Sequence, residues 1–229
     1  PKTTLIIKPT QEKRKSIHRF RHALAACGYQ EVVNYGFIDQ ASEDLVGNSN
    51  PIKVLNPIAE QFAVMRSSLL GSLLQNLKSN VSRKAPRVRL FEVGRTFSKD
   101  ASVVDSETTT IGNRQTLMVG GIAYGSVFAE QWGQKGINAR GVDFFDVKGD
   151  LEKLLAPLVI RTSAISDHPT FHPGRAASIE IALTASGKGE QWQKIGVIGE
   201  LHPKLQQQLE FASAPILFEF EFDPAATLS

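Results

Sequence analysis

The sequence predicts an α+β domain in which a mainly antiparallel sheet is flanked by helices. Three observations predict it. SIEIALT (178–184) and ILFEFEF (216–222) alternate at period two, as strands with one apolar face do. Segments 12–27 and 67–84 carry apolar residues at helical spacing. Several strand-like runs follow one another without a helix between them, which argues against a regular βαβ repeat.

The elements can be justified in chain order. Ile17, Phe20, Leu24 and Cys27 form one stripe of a helix over 12–27, with Thr10 as the expected N-cap and Gly28 as its stop. EVVNYGFI (31–38) is rich in β-branched and aromatic residues and reads as a strand. A short helix over 40–46 ends in GNSNP, and IKVLNP (52–57) reads as a strand closed by Pro57. Leu70, Leu73, Leu74, Leu77 and Val81 define the clearest helix, 67–84, with Ser67 as cap and Pro86 beyond its end. Strands are expected at 88–97 and 116–124, with a polar loop over 98–115 between them and a Gly-rich loop reaching about 141. The glycines of TLMVGGIAY point to close backbone approach.

A helix near 146–156 is expected to be capped by Asp146 and stopped before Pro157. KIGVIGEL reads as a buried strand, and a helix over 203–211 has His202 at its N-cap and Pro203 at N1. With no repeat and no low-complexity linker, residues 1–229 are expected to form a single module, with a possible lobe boundary near 141–145.

Composition narrows the function classes. A chain that is 41% hydrophobic and 21% charged is globular rather than disordered. Cys27 is the single cysteine, which excludes an internal disulfide framework and fits a reducing, cytoplasmic setting. No apolar run approaches the roughly 20 residues of a membrane helix, so no membrane partner is expected. The start lacks the apolar core of a signal peptide and an initiator Met, which suggests a fragment or a processed chain. The net charge of +3 does not by itself call for nucleic acid.

Candidate chemistry is sparse. GGIAYG (120–125) is neither a dinucleotide fingerprint nor a Walker sequence. His18/His22 and His168/His172 have helical metal spacing, but arginines separate the first pair and prolines break the second, so no metal site is expected. Cys27 lies on an apolar stripe, where a buried thiol is the default. Glu219 and Glu221 fall on what alternation predicts to be the solvated face of a strand. Lys13, Arg14, Lys15, Arg19 and Arg21 make helix 12–22 basic, but no aromatic residues interleave on its polar face. No catalytic, cofactor-binding or metal residue is assigned.

Two stretches carry a resemblance. GYQEVVNYGFID (28–39) is similar to motif 1 of class II aminoacyl-tRNA synthetases, and RLFEVGRTFSKD (89–100) to the front half of their motif 2. LNPIAEQFAVMRSSLLGSLLQNLKSN, DFFDVKGDLEKLL, FHPGRAASI and IGVIGELHPKLQQQLEF resemble, in that order, the catalytic-like module of bacterial phenylalanyl-tRNA synthetase beta subunits. The resemblance implies a class II catalytic-like fold. It implies an alpha subunit that holds ATP and magnesium, usually in a tetramer of two alpha and two beta chains, and tRNA(Phe) as a partner of the whole enzyme.

In an active site of this class, the motif 2 arginine holds the ATP α-phosphate. Ser98 stands in its place here, and a hydroxyl cannot make the bidentate guanidinium contact. Lys99 would project to the other side of the strand. PILFEFEFDPAATLS, where motif 3 belongs, has neither glycine nor arginine. The resemblance therefore implies a non-catalytic scaffold, with Ile17, Phe20 and Leu24 either contacting the alpha subunit or facing the internal core. Two rival readings are a freestanding synthetase-like ligase with an altered ATP site and a nucleic-acid-binding module using helix 12–22.

Overall fold

The computed structural model describes residues 14–105, 110–129, 140–183 and 191–227. Six α-helices are described: α1 (Ile17–Ala26), α2 (Gln40–Leu45), α3 (Leu70–Ser82), α4 (Phe144–Leu155), α5 (Pro203–Gln208) and α6 (Phe222–Ala226). The strands are β1 (Gln30–Glu31), β2 (Phe37–Ile38), β3 (Val64–Met65), β4 (Arg87–Lys99), β5 (Asn113–Gly125), β6 (Ile160–Ala164), β7 (Phe171–Leu183), β8 (Gln191–Leu201) and β9 (Ile216–Glu221). Seven of them form one sheet in the order β1-β4-β5-β9-β8-β7-β6. Only the β1–β4 pair is parallel. The expected α+β class and antiparallel sheet are therefore present.

The sheet is covered on both faces. Phe20 and Leu24 of α1, Val147 and Leu151 of α4, and Phe218 and Phe220 of β9 join one apolar layer. The leucines of α3 join Phe171, Phe211 and Leu217 in the other. Leu70, Leu73, Leu74 and Leu77 are all fully buried, each contributing about 1.5–3 kcal/mol through the hydrophobic effect. Phe218, Phe220 and Phe222 are buried, as their alternation predicts, although Phe222 opens α6 rather than closing the strand. TLMVGGIAY does sit under close neighbours: a Cβ at Gly121 would lie 2.5 Å from the Phe218 ring.

Several expected elements change. Helix α1 starts at Ile17, capped by Ser16; Thr10 lies outside the described residues. Gly28 follows the helix with φ +84°, the left-handed turn that suits a glycine stop. EVVNYGFI pairs only at its ends, in β1 and β2. IKVLNP contributes a single bridge, Lys53 to Val64, because the chain turns away before Pro57. Helix α3 begins at Leu70, since Ser67 spends its hydroxyl on Glu43. Helix α4 is capped by Asp143, with Asp146 closing a capping box, instead of by Asp146 itself. Strands β4 and β5 run longer than expected and shorten the loop between them. Residues 141–145, where a lobe boundary was expected, bridge Ser126 through Gly141 and lead into α4.

Candidate functional site

Strand β4 carries the motif 2-like residues, and Ser98 stands exposed near its end. Its partner across the ladder is Arg114 on β5. That guanidinium is occupied, because its Nε donates to Asp100 at 2.8 Å. Lys99 Nζ donates to Asn50 Oδ1 at 2.7 Å. Ser98 therefore has charged neighbours, but each is engaged elsewhere.

Deeper on the same strand lies an ion pair that the sequence does not announce. Arg66 Nη1 contacts Glu92 Oε1 at 2.8 Å, and both side chains are 3% exposed. Arg66 Nε also donates to the Arg95 carbonyl at 3.0 Å. Gly94 makes room for it: a Cβ there would lie 2.2 Å from Arg66 Nη2. Glu92 further accepts from the Asn34 amide N–H and Nδ2. A buried charge pair persists only when such additional bonds satisfy it.

Two more carboxylates sit around the start of α3. Glu43, also buried, accepts from the Ser67 amide at 2.9 Å, from the Ser67 hydroxyl and from Asn48 Nδ2. Glu219 Oε2 accepts from the Ser68 hydroxyl at 2.9 Å and the Leu69 amide at 3.0 Å. Glu219 is opposite Gly120, whose missing side chain lets Leu69 settle on the sheet. Against the expectation, Glu219 is half-buried rather than solvated, because β9 is a central strand with elements over both faces. Burial pushes the Glu219 carboxyl up to about 7, against the opposing effect of those two hydrogen bonds. Among the described residues, Glu92 is the one of these three carboxylates ion-paired with Arg66. A polyphosphate would meet repulsion on this face.

Ile17, Phe20 and Leu24 do not form a free surface. Phe20 and Leu24 are 1% exposed, and Phe20 meets the Phe222 ring edge-on at 5.1 Å. Ile17 packs half-buried against the same layer. The stripe faces the internal core, the other of the two readings open in the sequence. The basic run is also largely committed. Arg14 pairs with Asp223, Arg21 with Glu31, and buried Lys15 donates to the Leu155 and Ala156 carbonyls at the end of α4. Lys13 lies outside the described residues. Among the described residues no cluster of three His, Cys, Asp or Glu could hold a metal ion. No described helix is long and apolar enough to cross a membrane.

Sequence reasoning missed a different surface. Between β1 and β2 the chain is extended, and alternate residues point outward: Val33 is 90% and Tyr35 71% exposed, with Phe37 also exposed. Leu55, in the segment expected to be a strand, and Ile58 just after it are 96% and 99% exposed. The segment is held from below, where Asn34 is tied to Glu92 and Asn76 Nδ2 donates to Asn34 Oδ1. Phe62 meets Tyr35 edge-on at 5.2 Å. Beside these rings opens a cleft of about 380 Å³. The available signal was the alternation itself, since Val33, Tyr35 and Phe37 are bulkier than Asn34 and Gly36 between them.

Comparison with known proteins places these features. Residues 1–222 match the family model described as the phenylalanyl tRNA synthetase beta chain CLM domain. The phenylalanine–tRNA ligase beta subunit of Cupriavidus pinatubonensis is 52% identical over 218 residues, 95% of this chain and 25% of that protein. Those of Ralstonia nicotianae and Burkholderia lata are each 48% identical, over 95% and 97% of this chain. The chain spans about a quarter of the length of these relatives. A pyrrolysyl tRNA synthetase from Desulfitobacterium hafniense shares the fold at a TM-score of 0.57 and 12% identity, over 93% of this chain and 66% of that one.

Proposed function

The chain belongs to the family of phenylalanyl-tRNA synthetase beta-chain CLM domains, and from that premise we propose that it is a non-catalytic structural module of phenylalanine–tRNA ligase that packs against the catalytic alpha subunit. The observation that carries this reading is the outward row of Val33, Tyr35 and Phe37, with Leu55 and Ile58 also exposed. Single apolar residues are ordinary on a surface, but three large ones in one outward row mark a contact. It lies on the motif 1-like segment, so the proposed contact moves from the α1 stripe to this face.

The residues of the synthetase-like face do not fit a nucleotide. Ser98 offers no guanidinium, Arg66 is tied to Glu92, and Arg114 is tied to Asp100. Preorganised cations at the transferring phosphate are what such a reaction needs. ATP and magnesium belong to the alpha subunit in this reading, and tRNA(Phe) is met through the assembled enzyme.

The test is assembly of the full beta subunit with its alpha subunit. Val33→Asp with Ile58→Asp is expected to abolish co-purification while leaving the melting temperature of the free beta subunit unchanged, because both sites are exposed. Co-purification at the wild-type yield would refute the packing role. Phenylalanine-dependent exchange of pyrophosphate into ATP by the 229-residue chain alone would refute the non-catalytic role.

A further inference from the structure

The cleft beside the exposed row has a chemistry of its own. Tyr35, Phe37 and Phe62 supply aromatic walls, and Asn34, Asp39 and Gln61 supply polar groups. Among the described residues no lysine, arginine or histidine lines it. Asp39 is there for a local reason, since its Oδ1 accepts from the Ser42 amide at 2.9 Å and caps α2. Its Oδ2 accepts from the Ser42 hydroxyl at 2.9 Å and Gln75 Nε2 at 3.0 Å. Three donors leave one of the carboxylate's roughly four acceptor positions open. All three donors are neutral, and among the described residues no ion pair reaches Asp39. The cleft thus has aromatic walls, amide acceptors and an uncompensated negative charge.

We propose that this cleft is a socket for an arginine side chain presented by the subunit that covers the exposed apolar row. The inference rests on the packing role proposed above and adds the chemistry of the partner. A guanidinium is flat, stacks on aromatic faces, carries five N–H donors and is weakly hydrated, so it enters a half-buried aromatic site at lower cost than an ammonium. Tyr35 and Phe62 are already fixed edge to face at 5.2 Å, which leaves ring surface for stacking. The amide oxygen of Gln61, and the second lone pair of Asn34 Oδ1 beside its bond from Asn76, can accept from the donors that Asp39 does not reach. The cleft is continuous with the apolar row, because Tyr35 and Phe37 belong to both. A central pocket taking an arginine, rimmed by apolar contacts, is the usual anatomy of an interface hot spot.

The experiment measures the dissociation constant of the full beta subunit from its alpha subunit at several salt concentrations. Asp39→Asn keeps an acceptor at the α2 cap and removes the charge. It should weaken assembly roughly 5- to 30-fold and flatten the salt dependence. Asp39→Lys should weaken it further, since it sets like charges together. Phe62→Leu, which preserves apolar area but removes the ring, should weaken it roughly 3- to 10-fold. Equal effects of Asn and Lys, or no effect of Asn while Val33→Asp abolishes assembly, would mean that a neutral side chain fills the cleft and would overturn the inference alone. Intact assembly with Val33→Asp would overturn the packing role beneath it. If Asp39→Asn destabilises the free subunit, Phe62→Leu decides: unchanged affinity overturns the socket, and weakened affinity supports it.

Discussion

Replacing Glu219 with Gln should remove a pH dependence of stability that the fold builds into β9. The Glu219 carboxyl is pushed up to about 7, above its ordinary 4.5, chiefly by loss of water where it meets the start of α3. The folded chain therefore holds that proton more tightly than the unfolded chain. Between about pH 4.5 and 7 the folded state binds more protons, so stability falls as pH rises, and above 7 the loss is complete. The full penalty is about 3 kcal/mol, of which about 2 kcal/mol develops between pH 5.5 and 8. For a chain of this length that corresponds to a fall of about 4–8 °C in melting temperature. Gln carries no such proton, yet its amide oxygen can still accept from the Leu69 amide and the Ser68 hydroxyl. Melting curves of both chains from pH 5 to 8.5 test this, and their difference cancels the histidines. The variant should gain on the wild type as pH rises. A difference that stays constant with pH would show that Glu219 is ionised throughout and that the burial argument fails.

Two further outcomes are expected. Phe20→Asp with Leu24→Asp should prevent folding, because two unpaired carboxylates would enter the layer shared with Phe220 and Phe222; a native circular dichroism spectrum from that chain would return the stripe to the surface. Arg66→Ala should cost about 3–5 kcal/mol in urea unfolding by leaving Glu92 buried and without its cation, whereas Arg66→Met with Glu92→Leu should recover most of that; a loss under about 1 kcal/mol in the single variant would show that water reaches Glu92.

Elements whose evidence is local were legible in the sequence. Helix α3 follows from four leucines at helical spacing, and the buried phenylalanines of β9 follow from period two. His202 caps α5 as its place before Pro203 suggests, accepting from the Lys204 amide at 3.1 Å. The Arg66–Glu92 pair was not legible, because its members lie 26 residues apart and meet only once β3 and β4 are placed. Helix α6 was hidden because Phe222 continues the alternation of β9 into the first turn.

Alternation divides a strand into two faces but does not say what lies over either. In ILFEFEF it separates phenylalanines from acids, and solvent over the acids was the simple reading. The sheet order overrides it, since β9 lies between β5 and β8 with helices on both sides. Glu219 is consequently set against the start of α3, where it accepts from the amide of Leu69, the residue before the helix. In EVVNYGFI the same logic runs the other way. Between the inward Val32 and Ile38, the inward positions hold only Asn34 and Gly36, and the bulky Val33, Tyr35 and Phe37 face out. The row is held in place from beneath, where Asn34 bonds Glu92 and the backbone of Val32 and Gly36 bonds Phe91 and Arg66. Rigid apolar groups held outward lose little conformational entropy when covered, so nearly all their burial free energy is available to a partner. Val32 and Ile38 keep the ends of the segment in the core, whereas its middle turns only Asn34 and Gly36 inward and leaves its large residues outside, the arrangement on which the proposed contact rests.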